Sequence, residues 1–481
     1  MKWGWLILFT AAAGFSDEAR ISATSHSIFS NTQDIEDTSS PRNTEFMHEA
    51  QVRADWRRYS FGIEFANTIV TDQSPIISQP MVLEKGFAIA DWDDFKITLG
   101  DSYQEFGKGI ALSLNRNSVF GTDNTLQGGS FEYRPKSFGV SLFGGRVSAV
   151  KAPVSLYPTP TSLIRNELLL AGAQVYVKPV SDTKISGHTF TAINRPLNST
   201  RFDKGWNTVG ASLSRDGLFD AVDLYAESNV LMPFTMHGPD GERGYGHYAS
   251  ISWVPLDWRL QVEGKDYRQE TFEFRRPPTL EEDIVENPNI TNVSAGRASA
   301  EYKIDPARAW SVFSSYLYGD DRDVHSPVHH VVVGTKFLGP AMSRIELKTG
   351  YRTFPGRDNL GHASIKGKIP TFTGQTAEVG FRKYSAMTNL HFAPAKEDRN
   401  NVDVSYVFGE AFSLGLNYEF VPTNQEASGR HFINATTQVR VADLSTKIMA
   451  GKTSGGTMCS AGVCQRVPPF SGVMLETTYR F

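Results

Sequence analysis

The sequence predicts an all-β fold: a single closed antiparallel transmembrane β-barrel of about 24 strands (range about 20 to 26, even in number), with short periplasmic turns and long extracellular loops. Three observations predict it. Residues 471–481 set Val473, Leu475, Thr477, Tyr479 and Phe481 against Met474, Glu476, Thr478 and Arg480. Side chains alternate across a strand, so this segment has one apolar and one wetter face. The same alternation recurs along the chain in segments of about 9 to 13 residues, separated by connections that are by turns short and long. Third, composition is 40% hydrophobic with negative mean hydropathy. Past the first dozen residues no apolar run reaches the length of roughly 18 to 20 residues that a spanning helix needs. A chain that enters lipid without such helices must pair its backbone groups between strands, and a closed sheet leaves none unpaired. A soluble sandwich also alternates, but roughly two dozen strands outgrow one compact core.

The N-terminus reads as a secretory signal peptide over residues 1–16, ahead of a barrel over 17–481. Met1 and Lys2 precede apolar residues 3–9, then small Ala11, Ala12, Ala13 and Gly14, then charged Asp17, Glu18 and Arg20. Cleavage after Ala13 or Ser16 fits, and the apolar stretch is too short for an anchor. Turn-like clusters follow at Arg57-Arg58, Asp93-Asp94, 135–137, 181–183, 255–257, 305–307, 339–341, Gly409-Glu410 and Ala442-Asp443. Between them lie longer segments rich in Pro, Asn, Asp and Gly, at 32–43, 72–80, 150–164, 196–203, 233–243, 270–291 and 423–429. Short links on one side and long loops on the other put both termini in the periplasm and the protein in the bacterial outer membrane.

Single strands make a lumen face readable. Arg344, Glu346, Lys348 and Arg352 alternate with Ile345, Leu347 and Tyr351. Arg259, Glu263 and Lys265 alternate with Leu260 and Val262, Glu419 with Leu416 and Tyr418, and Arg440 with Val439. A Lys or Arg on the lipid face costs about 2 to 4 kcal/mol at the midplane, so the charged rows line the lumen. Opposite signs are interspersed along each strand, which predicts neither cation nor anion selectivity.

A barrel this wide calls for a filler. The candidate is residues 100–126, with Tyr103, Glu105, Phe106, Lys108 and Arg116 as constriction residues: it is too apolar for a free loop, and it either folds inward or continues a strand above the membrane. Cys459 and Cys464 lie in the last extracellular loop, 457–469, and in an exported protein are expected to pair. Closing so short a loop stiffens its tip more than it stabilises the barrel.

Gly100-Asp101-x-Tyr103-x-x-Phe106-Gly107-x-Gly109-Ile110-x-Leu112, and the ending 464–473 followed by Tyr-Arg-Phe, resemble uncharacterised large barrels of Bacteroidota and deltaproteobacterial outer membranes. That resemblance covers little of the chain and implies no activity. Phe481 with Tyr479 and Leu475 resembles the signal read by the barrel assembly machinery, which implies that machinery and outer-membrane lipid as partners.

Searches for chemistry return little. Residues 450–453 mimic the end of a phosphate loop, but its first glycine would fall at Thr446. His329 and His330 point to opposite faces of a strand, so no metal site is expected, and the acidic run Glu281, Glu282, Asp283 reads as solvated. No catalytic motif and no cofactor site is found. With 48 Lys and Arg against 52 Asp and Glu, net charge -4 and no long basic block, nucleic acid is not a partner. The expected function is a porin-like pore or transporter for hydrophilic solutes, not an enzyme. The alternative is a non-conducting structural or anchoring component that docks an envelope protein.

Overall fold

The computed structural model describes residues 19–34, 43–70, 77–117, 122–148, 167–195, 204–235, 238–239, 241–268, 278, 280, 292–305, 309–322, 326–339, 343–353, 359–371, 375–390, 393–422, 430–453, 456–460, 463–467 and 470–481. The expected leader at 1–16 lies outside these residues, as do the side chains of Arg116, Cys459 and Cys464.

Twenty-four antiparallel strands close into a barrel, and the described residues contain no helix. Each wall strand pairs with the next in the chain. The first, Ala19–Asp34, closes on the last, Phe470–Arg480, in a register running from Thr24 opposite Arg480 to Asp34 opposite Phe470. Phe481 N–H donates to Ala23 O at 2.8 Å and completes the seam. Alternation sorts the two faces as a lipid-spanning wall requires: Val262 is 57% exposed on the outer face while its neighbour Glu263 is 7% exposed on the inner one.

Rings gather at the rim of the short turns. Trp56 stacks on Tyr59 at 5.9 Å, Trp258 lies 4.6 Å from Tyr302, and Tyr479 meets Phe481 edge-on at 4.2 Å. Such a girdle places amphipathic rings at one lipid boundary. One tight turn lies outside the sequence-predicted set: Phe219 and Asp220 both take positive φ, at 54° and 62°, without a Gly or Pro between the strands Lys204–Leu218 and Val222–Thr235.

Two departures from regularity shape the wall. Glu64 pairs with Lys85 and Phe65 with Leu83, so Glu84 is the extra residue of a β-bulge in Ile77–Asp91. The bulge turns Glu84 inward beside Lys85, where its carboxylate lies within 4.8 Å of those of Glu49 and Glu64. The second is a glycine seam. Gly100 has φ +93°, and a Cβ there would run into the carbonyl of Gly86; Cβ atoms at Gly128 and Gly145 would likewise strike neighbouring backbone. The sheet is bent here so sharply that its inner face admits no side chain.

Candidate functional site

The strand Phe95–Ser102 and the strand Leu126–Tyr133 pair directly, with Ser102 opposite Leu126. The described residues between them form an insertion that leaves the wall at Ser102 and rejoins it at Leu126. Asp101 ties its root: one carboxylate oxygen accepts from Gly86 N–H at 2.8 Å, the other from Thr125 Oγ1 at 3.3 Å. From there residues 104–106 and 112–114 form a small hairpin, Phe106 opposite Leu112.

The hairpin packs on the inner wall. Phe106, Leu112 and Leu114 are buried with Phe143, Leu170 and Phe190, inner-face residues whose strands carry exposed Leu142, Val175 and Ile185 on the other side. Phe106 stacks on His188 at 5.0 Å. Ile110 is fully buried in a second cluster with Tyr248, Tyr267, Leu280 and Leu317. Complete burial of each such side chain contributes roughly 1.5–3 kcal/mol. Gly107, at φ +60°, passes so close to the Glu227 carboxylate that a Cβ would collide with it. This approach lets Lys108 N–H donate to Glu227 Oε2 at 2.9 Å.

Glu227 is 3% exposed and anchors a polar network. It also accepts from Tyr225 Oη and, at 3.0 Å, from Asn229 Nδ2, whose Oδ1 accepts in turn from His188 Nε2 at 2.6 Å. Lys108 Nζ sits over the rings of Tyr225 at 4.6 Å and Tyr248 at 5.1 Å. Tyr248 Oη donates to Glu263 at 2.8 Å, and Arg297 Nε donates to the other oxygen of Glu263 at 2.9 Å. A buried carboxylate left without such donors would be costly, so each partner fixes the next.

Among the residues the sequence singled out, Phe106 is buried in the hairpin, Lys108 is held by the two tyrosines, and Tyr103 and Glu105 are exposed. Glu263 and Lys265 are buried beneath the same region, with Lys265 Nζ 5.5 Å from the Tyr267 ring. Glu419 pairs with buried Arg399 at 3.4 Å. Arg259, Arg344 and Arg440 are exposed, and Glu346, Lys348 and Arg352 half-buried. Leu475, Tyr479 and Phe481 are exposed on the outer face. Cys459 and Cys464 stand directly opposite one another in the hairpin of Gly456–Ser460 and Val463–Val467.

Sequence reasoning does not reach the wall partners of the hairpin, His188, Tyr225, Glu227, Asn229, Tyr248 and Arg297. Nor does it reach the pair His330 and His362, whose Nε2 atoms lie 2.9 Å apart across the gap left by Gly350. Among the described residues no further His, Cys, Asp or Glu joins that pair at ligand distance.

No protein-family model and no curated protein sequence matches the chain. Solved structures do. The E. coli P pilus tip assembly intermediate PapC-PapD-PapK-PapG is similar with a TM-score of 0.52 at 9% identity, over 97% of this chain and 61% of that one. The siderophore receptor PirA from Pseudomonas aeruginosa gives 0.50 at 7% identity, over 96% of this chain and 80% of that one. The P pilus usher (PapC) translocation pore gives 0.48 at 9% identity, over 96% and 99%. At such identities the likeness is one of fold, and on the first two comparisons this chain shares the architecture of large closed outer-membrane β-barrels.

Proposed function

We propose that the protein is an outer-membrane, porin-like pore or transporter for hydrophilic solutes, with residues 103–125 as its constriction. The observation that carries this reading is the inward hairpin: it buries Phe106, Ile110, Leu112 and Leu114 against one side of a closed wall, while the wall formed by residues 344–382 keeps Arg344, Lys366 and Arg382 exposed. A polar wall that is covered on one side and wet on the other suits passage of water-borne solutes. In this reading the leader 1–16 directs export, the termini lie in the periplasm, Leu475, Tyr479 and Phe481 engage the assembly machinery, and Cys459 and Cys464 form a disulfide across their hairpin. Alkylation of the unreduced protein then leaves both thiols unlabelled.

Single-channel recording in planar bilayers tests the pore. Because Ser102 and Leu126 are register partners, residues 103–125 can be replaced by a short Gly-Ser linker without reopening the wall. Wild type is expected to show discrete openings and the excised variant larger ones. A silent bilayer for both, with the barrel folded, would instead favour a non-conducting envelope component.

A further inference from the structure

Strand register sorts the lumen charges in a way no single strand reveals. On the strands Ser326–Leu338, Arg344–Thr353, Leu360–Pro370 and Gln375–Leu390, inner-face residues meet in rows across the sheet. The row nearest the short turns holds Arg344 and Lys368 with Glu378. The next holds Lys336 and Lys366 with Glu346 between them. Above it Lys348 and Arg382 flank Ser364, and Arg352 follows. The three rows nearest the short turns each carry more cations than carboxylates on these strands, and Arg352 lies beyond a row of Val332, Gly350 and His362 that holds neither, seven cations against two carboxylates in total. Arg344 stands directly opposite Lys368, a like-charge opposition that costs stability in a sheet.

The acidic arc of the wall differs. Glu45 and Glu64 are buried, Glu64 is bonded to Lys85 at 3.3 Å, and His26 lies 3.1 Å from Glu476 and 3.7 Å from Glu49. Those carboxylates are engaged within the wall; in the basic arc Lys368 pairs with Glu378 at 2.6 Å and Lys336 with Glu301 at 3.9 Å, yet Arg344, Lys366, Lys368 and Arg382 all remain exposed.

We propose that the arc from Lys336 to Arg382 is a binding track for small acidic solutes, carboxylates or phosphates, that move along the wall beside the hairpin's contacts. The proposal rests on the pore reading for the direction of movement, but not for the binding. Adjacent rows lie about 7 Å apart along a strand, within the Debye length of about 10 Å at 0.1 M salt, so an anion leaving one row already feels the next.

The test uses the whole protein in detergent at low salt, with the polyanionic dye pyranine as probe and fluorescence anisotropy as readout, followed by reversal potentials in a KCl gradient. R344E/K348E/K366E should weaken pyranine binding on the order of tenfold or more, since exposed Arg344 and Lys366 and half-buried Lys348 each contribute modestly and all three are reversed. R57E/R58E/K136E, with the same change in net charge on the short turns, should bind as wild type does. K366Q/R382Q, which removes charge with little change in size, should weaken binding in the same direction and serves if the triple reversal fails to fold. In the bilayer, wild type should prefer chloride over potassium, and the lumen variant should lose that preference. Equal pyranine binding by wild type and the lumen variants, or a potassium-selective wild-type channel, would overturn the proposal. A silent bilayer with register-dependent pyranine binding would sink the pore and leave the anion track standing.

Discussion

Lys108 and Lys368 are both exposed lumen lysines, and the wall engages them differently. The ammonium of Lys108 is clasped over the Tyr225 and Tyr248 rings while its backbone N–H bonds to buried Glu227. Lys368, in the basic arc, pairs with Glu378 at 2.6 Å, with both side chains about half exposed to water. In the hairpin region it is the buried charge of Glu227 that holds a segment in place; in the basic arc both members of the pair stay in solvent. Charge in a lumen is therefore not one property: desolvated and bonded it gives rigidity, hydrated and repeated it gives a field.

The strongest way to break the contrast is Gly100→Val at the seam beneath the hairpin. A Cβ there meets the Gly86 carbonyl at a φ that branched residues avoid, so the barrel should fail to close, read as loss of the folded, heat-modifiable band on gels. Gly367→Ala in the open half, whose Cβ would find only a carbonyl at 3.9 Å, should fold normally.

Next in size is Phe106→Ala. It should cost about 3–5 kcal/mol of hairpin docking without opening the wall, seen as faster amide exchange across residues 104–114 and noisier, larger conductance. Lys85→Ala, in the acidic arc, should destabilise the barrel by a comparable amount, about 3 kcal/mol in urea unfolding, because it strands the Glu64 carboxylate away from water. Glu227→Ala should loosen the hairpin by about 1–3 kcal/mol through the lost Lys108 bond, and proteolytic cutting at 107–109 should rise accordingly. The smallest stability change belongs to Lys368→Ala, at most about 1 kcal/mol for so exposed a pair. A larger loss there would mean that the basic arc, too, is structural.

Much of the wall was legible in the sequence because the signal is local. The alternation of Val473, Leu475 and Tyr479 with Glu476 and Arg480 is a property of neighbours, and so are the turns at Arg57-Arg58 and Ala442-Asp443. The turn at Phe219 and Asp220 escaped because it uses left-handed residues that are not glycine. Glu84 escaped because a bulge breaks the period of two at the very residue it turns inward. The motif around Gly100, Phe106 and Gly107 stood out, yet its meaning lies in a seam against Gly86 and a carboxylate at Glu227 more than a hundred residues downstream. Likewise the basic rows exist only once Lys336, Glu346 and Lys366 are brought side by side by register.

The seam between Ala19–Asp34 and Phe470–Arg480 carries a temporal consequence. His26 and Glu476, which meet across it at 3.1 Å, are 450 positions apart, so the cylinder cannot shut until its final strand has been synthesised and delivered. Until then two sheet edges stay open with every greasy outer residue bare, and contacts of such long range form slowly. The unclosed chain is thus its most aggregation-prone form, and trimming a few residues after 470 should yield aggregate rather than a smaller barrel.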